Sequence, residues 1–249
     1  LATDHANIVK EGKESLGAYG IYASQRDAFT WNNPYISVVE AVGNEGTDSD
    51  GDGRVDRGSL LGGATAKNVL SMGGCESEGA GIEGEEALNY QELEEVFSGE
   101  FPASPLREDS SRGDDGGVAA FSSRGPTRDG RIKPDLVAPA TDILTLASGG
   151  TESAPGLFTS STPGLVKAYG TSLAAAQAAR FSCVLQSYLL AADGQEPTSA
   201  LLKAFMVNGA VDLTPGQYGE EDMEVPEAPN VVEGWGRLSL GGVVEQKSW

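Results

Sequence analysis

The residue best placed to do chemistry is Ser172, in the stretch Tyr169-Gly170-Thr171-Ser172-Leu173-Ala174-Ala175-Ala176-Gln177. From Leu173 to Ala192 the chain is rich in Ala and Leu and lacks Gly and Pro, which predicts one long, largely buried helix. Ser172 then lies at or next to its N-cap, where backbone N–H groups and the positive end of the helix dipole face outward. Gly170 permits a close backbone approach there. A Ser in this setting is either a helix cap or a nucleophile whose developing oxyanion meets those N–H groups.

A second group of residues suits a cation. Asp48-Ser49-Asp50-Gly51-Asp52-Gly53-Arg54-Val55-Asp56 sets carboxylates at alternate positions with Gly interspersed. Such oxygen donors fit a hard ion such as calcium. Ser59 stands where an EF-hand would place its bidentate Glu, so a standard EF-hand is not expected. The metal candidates are Asp48, Asp50, Asp52 and Asp56, and a solvated acidic turn is the competing reading.

The elements that must position these residues alternate in type. Tyr22 to Asn32 predicts an amphipathic helix with Tyr22, Ala23, Phe29 and Trp31 inward, closed by Asn33-Pro34. Ile36 to Val42 reads as a buried parallel strand delivering Gly43-Asn44 at its C-terminal end, where open α/β sheets place their sites. Short strands are expected at Val118–Ser123, Leu136–Ala138 and Ile143–Ala147, a loop from Thr151 to Val166, and a helix from Thr198 to Asn208 capped by Thr198 or Ser199. Residues 76–117 are acidic and rich in Gly and Ser, and predict a solvated surface insertion with one short helix around Leu88–Phe97. Pro215 to Pro229 reads as a further acidic loop. The alternation points to an α/β class, a single parallel sheet with helices on both faces, in one domain over 1–249.

Composition narrows the partners. With 17 Lys and Arg against 37 Asp and Glu, the formal charge is −20, which disfavours nucleic acid and anionic membrane. No apolar run approaches the ~20 residues of a spanning helix, and no signal-peptide pattern is expected at the Leu1 end. A start at Leu suggests a fragment or processed product. The two cysteines, Cys75 and Cys183, are expected as buried thiols rather than a disulfide. The single histidine, His5, is expected in an ordinary surface or loop position.

Four ordered stretches resemble the subtilisin-like serine peptidases. Gly170-Thr171-Ser172-Leu173-Ala174 is similar to the segment around that family's nucleophile, and Val42-Gly43-Asn44-Glu45-Gly46 to its oxyanion-hole segment. Phe121-Ser122-Ser123-Arg124-Gly125-Pro126-Thr127, with Asp129 to Pro139, resembles the loop and strand ahead of the serine; Gly234-Trp235-Gly236-Arg237-Leu238 resembles the closing turn and helix. The resemblance implies a subtilisin-like three-layer fold lacking its N-terminal part, and a serine endopeptidase acting on polypeptides. Ser172 would be the nucleophile and Asn44 the oxyanion donor, with structural calcium and an extracellular or secreted setting. The family's Asp and His would belong to an upstream segment, so the chain alone is expected to be inactive. Departures from the pattern are Val9-Lys10-Glu11-Gly12 at the substrate-flanking strand, Ala140, Ala176, Gln177 and Arg180. A non-catalytic binding module and an acidic calcium-binding structural domain are the alternatives.

Overall fold

The computed structural model describes residues 15–79, 86–94, 96–97, 99–113, 116–147, 157–220 and 223–244. His5 and the Val9-Lys10-Glu11-Gly12 stretch lie outside them. Helix α1 (Ile21–Asn32) leads to β1 (Val39–Ala41), β2 (Leu70–Cys75), a one-turn helix α2 (Tyr90–Leu93) and β3 (Leu136–Pro139). Strands β4 (Ile143–Leu146), β5 (Leu157–Thr159) and β6 (Leu165–Ala168) precede α3 (Thr171–Asp193), α4 (Ser199–Asn208) and α5 (Leu240–Val244).

Strands β1, β2 and β3 form a parallel sheet in that order, with Val39 opposite Leu70 and Met72 opposite Leu136. Central β2 is buried at every position, as a parallel strand requires. Helix α3 packs across all three strands. Its buried stripe runs Thr171, Ala174, Ala178, Ser182, Leu185, Leu189, spaced three or four residues apart. The small residues of this stripe fall in its first half and let the helix approach the sheet closely. Among the described residues only that stripe is buried; Ala176, Arg180 and Cys183 are exposed, so the helix is less buried than the largely buried one expected.

A second, antiparallel sheet in the order β4-β6-β5 carries the chain from β3 to Tyr169. It corrects the expected loop over Thr151–Val166: β5 and the start of β6 fall within it. Over Val118–Ser123 no strand forms. Val118 makes an isolated bridge to Cys75, and the chain then turns so that Ser122 Oγ accepts the Gly74 N–H at 3.0 Å. Cys75 is buried and Cys183 exposed, both free, so one of the two thiols departs from expectation. Burial pushes the Cys75 thiol up to about 12.

Of the four residues of α1 expected inward, only Ala23 is buried. Ala23, Asp27 and Thr30 are buried, while Tyr22, Phe29 and Trp31 are exposed. The cause is Asp27, whose carboxylate accepts the Lys67 and Asn68 N–H groups at 2.9 and 2.7 Å and the Tyr19 hydroxyl at 2.7 Å. The segment expected as a solvated insertion is also built into the core. Tyr90, Leu93, Phe101 and Leu106 are fully buried with the sheet residues, and Phe97 stacks on Phe121 with ring centroids 4.3 Å apart. The turn of α2 is held by a capping box between Asn89 and Glu92.

Asp135, at the foot of β3, ties the layers together. Its Oδ2 accepts the Ser71 N–H at 2.8 Å and Lys133 Nζ at 2.7 Å, and its Oδ1 lies 2.8 Å from Lys203 Nζ on α4. Burial pushes this carboxyl up, but Lys133 and Lys203 outweigh it and hold the group below the usual range. The same burial lowers Lys133 to about 8. Because the folded value of Asp135 is depressed, its contribution is present above the unfolded value and lost as pH falls through the folded one. Asp135→Asn should cost about 3–5 kcal/mol at pH 7 in urea unfolding. The gap from wild type should narrow below about pH 4; a gap unchanged down to acid pH would contradict this role.

Candidate active site

The site forms where β1 ends and α3 begins. Gly43 follows Val42 with φ +110° and is enclosed: a Cβ there would lie 2.6 Å from Leu61 Cγ and 2.8 Å from Ser123 Oγ. Ser123 pins this turn from the other side. Its N–H donates to the Gly43 carbonyl at 3.0 Å, and its Oγ accepts the Glu45 N–H at 3.1 Å. Asn44 is thereby fixed in backbone and aimed at α3.

Across the gap, Gly170 is the N-cap of α3 with φ +137°, and it has no side chain to cap with. Asn44 takes over that task. Its Oδ1 accepts the Thr171 N–H at 2.9 Å and lies 3.0 Å from Thr171 Oγ1. That hydroxyl also lies 3.2 Å from the Gly43 carbonyl, so it donates to one or the other at a given moment. With its amide oxygen facing Thr171, Asn44 presents Nδ2 as the available donor. The same network assigns which end of the amide is oxygen.

Ser172 occupies the second helical position and is exposed, while Thr171 is fully buried. Ser172 is therefore not the N-cap, and α3 has no side-chain cap at its N-cap residue. Below it, the Gly170 N–H donates to the Ala140 carbonyl at 2.8 Å. Ala140 fits because Gly74 lies beneath it: a Cβ on Gly74 would come 2.6 Å from the Ala140 Cβ. Gln177 donates to the Pro139 carbonyl at 2.6 Å, fastening the first turns of α3 to the end of β3. Arg180 points to solvent, so it does not disturb the packed face.

In the acidic loop the structure brings three of the four candidates together. Carboxylate oxygens of Asp48, Asp50 and Asp52 lie within 4.8 Å of one another. Buried Asp48 accepts the Asp52 and Gly53 N–H groups, both at 3.0 Å. Asp56 stands apart and accepts the Ser49 N–H at 2.9 Å. The donors are all hard oxygens, a set that fits calcium. Thr171 and Ser123, which hold Asn44, were not singled out as site residues from sequence. The only available signal was their place beside Ser172 and in the Phe121–Thr127 stretch.

The model of the subtilase family (peptidase S8) matches residues 7–236. The chain belongs to the subtilase family. It is 28% identical over 306 residues to the serine protease/ABC transporter B family protein tagB of Dictyostelium discoideum, covering 95% of this chain and 15% of that protein. The related tagD of the same organism is 26% identical over 288 residues, covering 90% and 15%. The chain thus spans about 15% of the length of these curated relatives. Among solved structures, the patellamide maturation protease PatA superposes with TM-score 0.52 at 19% identity, over 92% of this chain and 57% of that one. A lanthipeptide protease gives 0.52 at 15% identity, over 91% and 55%. These likenesses show the subtilisin-like α/β fold, as the sequence pattern led one to expect.

The enclosed turn gives a stability prediction. Gly43→Ala should cost about 1–3 kcal/mol, because it combines a left-handed φ with three contacts below 3 Å. Gly62→Ala, which meets nothing within 4 Å, should stay within about 0.5 kcal/mol of wild type. Equal urea midpoints for the two variants would contradict the crowding at Gly43.

Proposed function

We propose that this chain is the serine- and asparagine-bearing part of a serine endopeptidase acting on polypeptide substrates. The observation that carries the reading is the Asn44 amide, whose oxygen is held by Thr171, the residue next to the exposed Ser172, so that Nδ2 is turned away from that bond. In this scheme Ser172 Oγ attacks the scissile carbonyl. Asn44 Nδ2 and the Ser172 N–H, at the positive end of α3, receive the oxyanion of the tetrahedral intermediate. Collapse of that intermediate expels the amine and leaves an acyl-serine, which water hydrolyses by the same route in reverse.

A serine hydroxyl needs a general base to take its proton. The one histidine of the chain is His5, in a setting unlike that of the family's base. The reading therefore includes a base and its carboxylate partner supplied by a segment outside these 249 residues. Such a division supports the expectation that the chain alone hydrolyses little, since oxyanion donors without a base leave only residual catalysis. A structural calcium ion held by Asp48, Asp50 and Asp52 belongs to the same proposal, on the strength of their converging carboxylates; Asp56 would act by holding the loop at Ser49. An extracellular or secreted setting rests on the family resemblance.

The test is covalent labelling with a fluorophosphonate probe, on the 249-residue chain and on the full-length gene product. The expected outcome is labelling at Ser172 in the long form, absent from the short form and from a Ser172→Ala variant. Asn44→Ala should slow labelling of the long form by about 10²–10³, the loss seen when the family's namesake loses its oxyanion asparagine. No labelling of either folded form would overturn the peptidase reading in favour of a binding module.

A further inference from the structure

A second set of buried polar groups lies where β2 runs out, and the chemistry at Ser172 does not use it. Glu76 is 3% exposed. Its Oε1 accepts the Tyr90 hydroxyl and lies 3.3 Å from Gln217 Nε2. Gln217 Nε2 also reaches Asp109 Oδ2 at 2.6 Å, and the Tyr218 hydroxyl meets that same oxygen at 2.8 Å. Glu224, buried as well, uses its Oε1 for Arg124 at 3.1 Å and for the Val118 N–H at 3.3 Å.

The other ends of these side chains lack donors. Glu76 Oε2, Glu224 Oε2 and Gln217 Oε1 are all buried, with no hydrogen-bond partner among the described residues. Buried carboxylate oxygens without partners are costly, and in native proteins such exceptions mark an ion or water. Gly117 adds a steric observation: a Cβ there would lie 2.7 Å from Gln217 Oε1 and 2.8 Å from Glu76 Cδ, so its bareness keeps space open between them. Arg124 answers the charge of Glu224, whereas the Glu76 carboxylate bonds, among the described residues, to Tyr90 and Gln217. Its neighbours Asp109 and Glu224 have its own sign. Of the three residues, Glu224 also lines a cavity of about 590 Å³, with Tyr218 and Arg124.

We propose that Glu76, Gln217 and Glu224 bind a hard divalent cation, with Glu76 Oε2, Glu224 Oε2 and Gln217 Oε1 as its protein ligands. The donors are all oxygen, two of them carboxylate and one amide, with no nitrogen or sulfur, which favours calcium over the softer transition metals. The ion would join Glu76, at the end of β2, to Gln217 and Glu224 of the segment that follows α4. This site is separate from the Asp48-Asp50-Asp52 group and does not depend on whether Ser172 turns over. Without an ion, burial first and the Asp109 charge second push the Glu76 carboxyl well above the usual carboxylate range. A neutral Glu76 sharing its proton is therefore the alternative, and it predicts no calcium response from this site.

The test compares thermal midpoints of chelator-treated protein with and without added calcium, for wild type, Glu76→Gln and Asp50→Asn. Calcium at a hundredfold excess over its Kd should raise the wild-type midpoint by about 5–10 °C. Because the Asp48-Asp50-Asp52 group takes its own share, Asp50→Asn and Glu76→Gln should each lose part of that rise, and the double variant should lose all of it. Should Glu76→Gln fail to fold, Gln217→Ala is read the same way. Terbium emission sensitised through the adjacent Tyr90 and Tyr218, and displaced by calcium, gives a readout on the unaltered chain. A full wild-type rise retained in Glu76→Gln, a rise lost only in Asp50→Asn, or no calcium response in wild type would each overturn the proposal.

Discussion

The interaction on which the site depends is the grip of the Asn44 amide oxygen on the first residue of α3. It does two things at once. It satisfies an N–H group that a helix leaves unpaired at its start, in place of a capping side chain that Gly170 cannot provide. It also fixes which face of the Asn44 amide is turned outward. In the proposed scheme the helix cap and the oxyanion donor are thus one side chain used at both ends. The Ser172 hydroxyl, one residue further on, needs no capping role and is left exposed.

The rest of the fold keeps that contact in register. Gly43 and Ser123 set the turn that carries Asn44, and the Gly74–Ala140 fit sets the depth at which Gly170 meets β3. The small residues of the α3 stripe let the helix lie close across the parallel strands. Asp135, with Lys133, Lys203 and Ser71, joins the lower ends of β2 and β3 to α4. These polar ties are buried, so each costs desolvation that only full pairing offsets. Glu76, Gln217 and Glu224 stand out against this background because their outer oxygens lack such pairing.

Much of this was legible in the sequence, and the exceptions have physical causes. The long helix after Gly170, the Thr198 cap of α4 and a strand before Asn44 follow from local signals: composition, cap chemistry and β-branched runs. That strand is only Val39–Ala41 and half-buried, shorter and less buried than the Ile36–Val42 run led one to expect. The Asp48-Asp50-Asp52 group was readable from spacing alone. What failed needed distant partners. The face of α1 was misjudged because Asp27 bonds to Lys67 and Asn68, forty residues on. The 86–113 segment read as solvated because acidic and Gly-rich composition hides four core residues, Tyr90, Leu93, Phe101 and Leu106. Strands β5 and β6 were missed because Ser, Thr and Pro around them resemble loop, and their pairing is set by each other and by β4. The part of Thr171 is a matter of geometry between two ends of the chain, which motif order does not reveal.

The most direct test of the central claim is a double-mutant cycle on the labelling rate of the full-length product, using Thr171→Val, Asn44→Ala and the pair. If Thr171 acts by orienting Asn44, Thr171→Val alone should slow labelling by about threefold to tenfold, as loss of one hydrogen bond would. Adding it to Asn44→Ala should then change the rate by less than about twofold. Full multiplication of the two losses would show that Thr171 and Asn44 act independently, and would contradict the account.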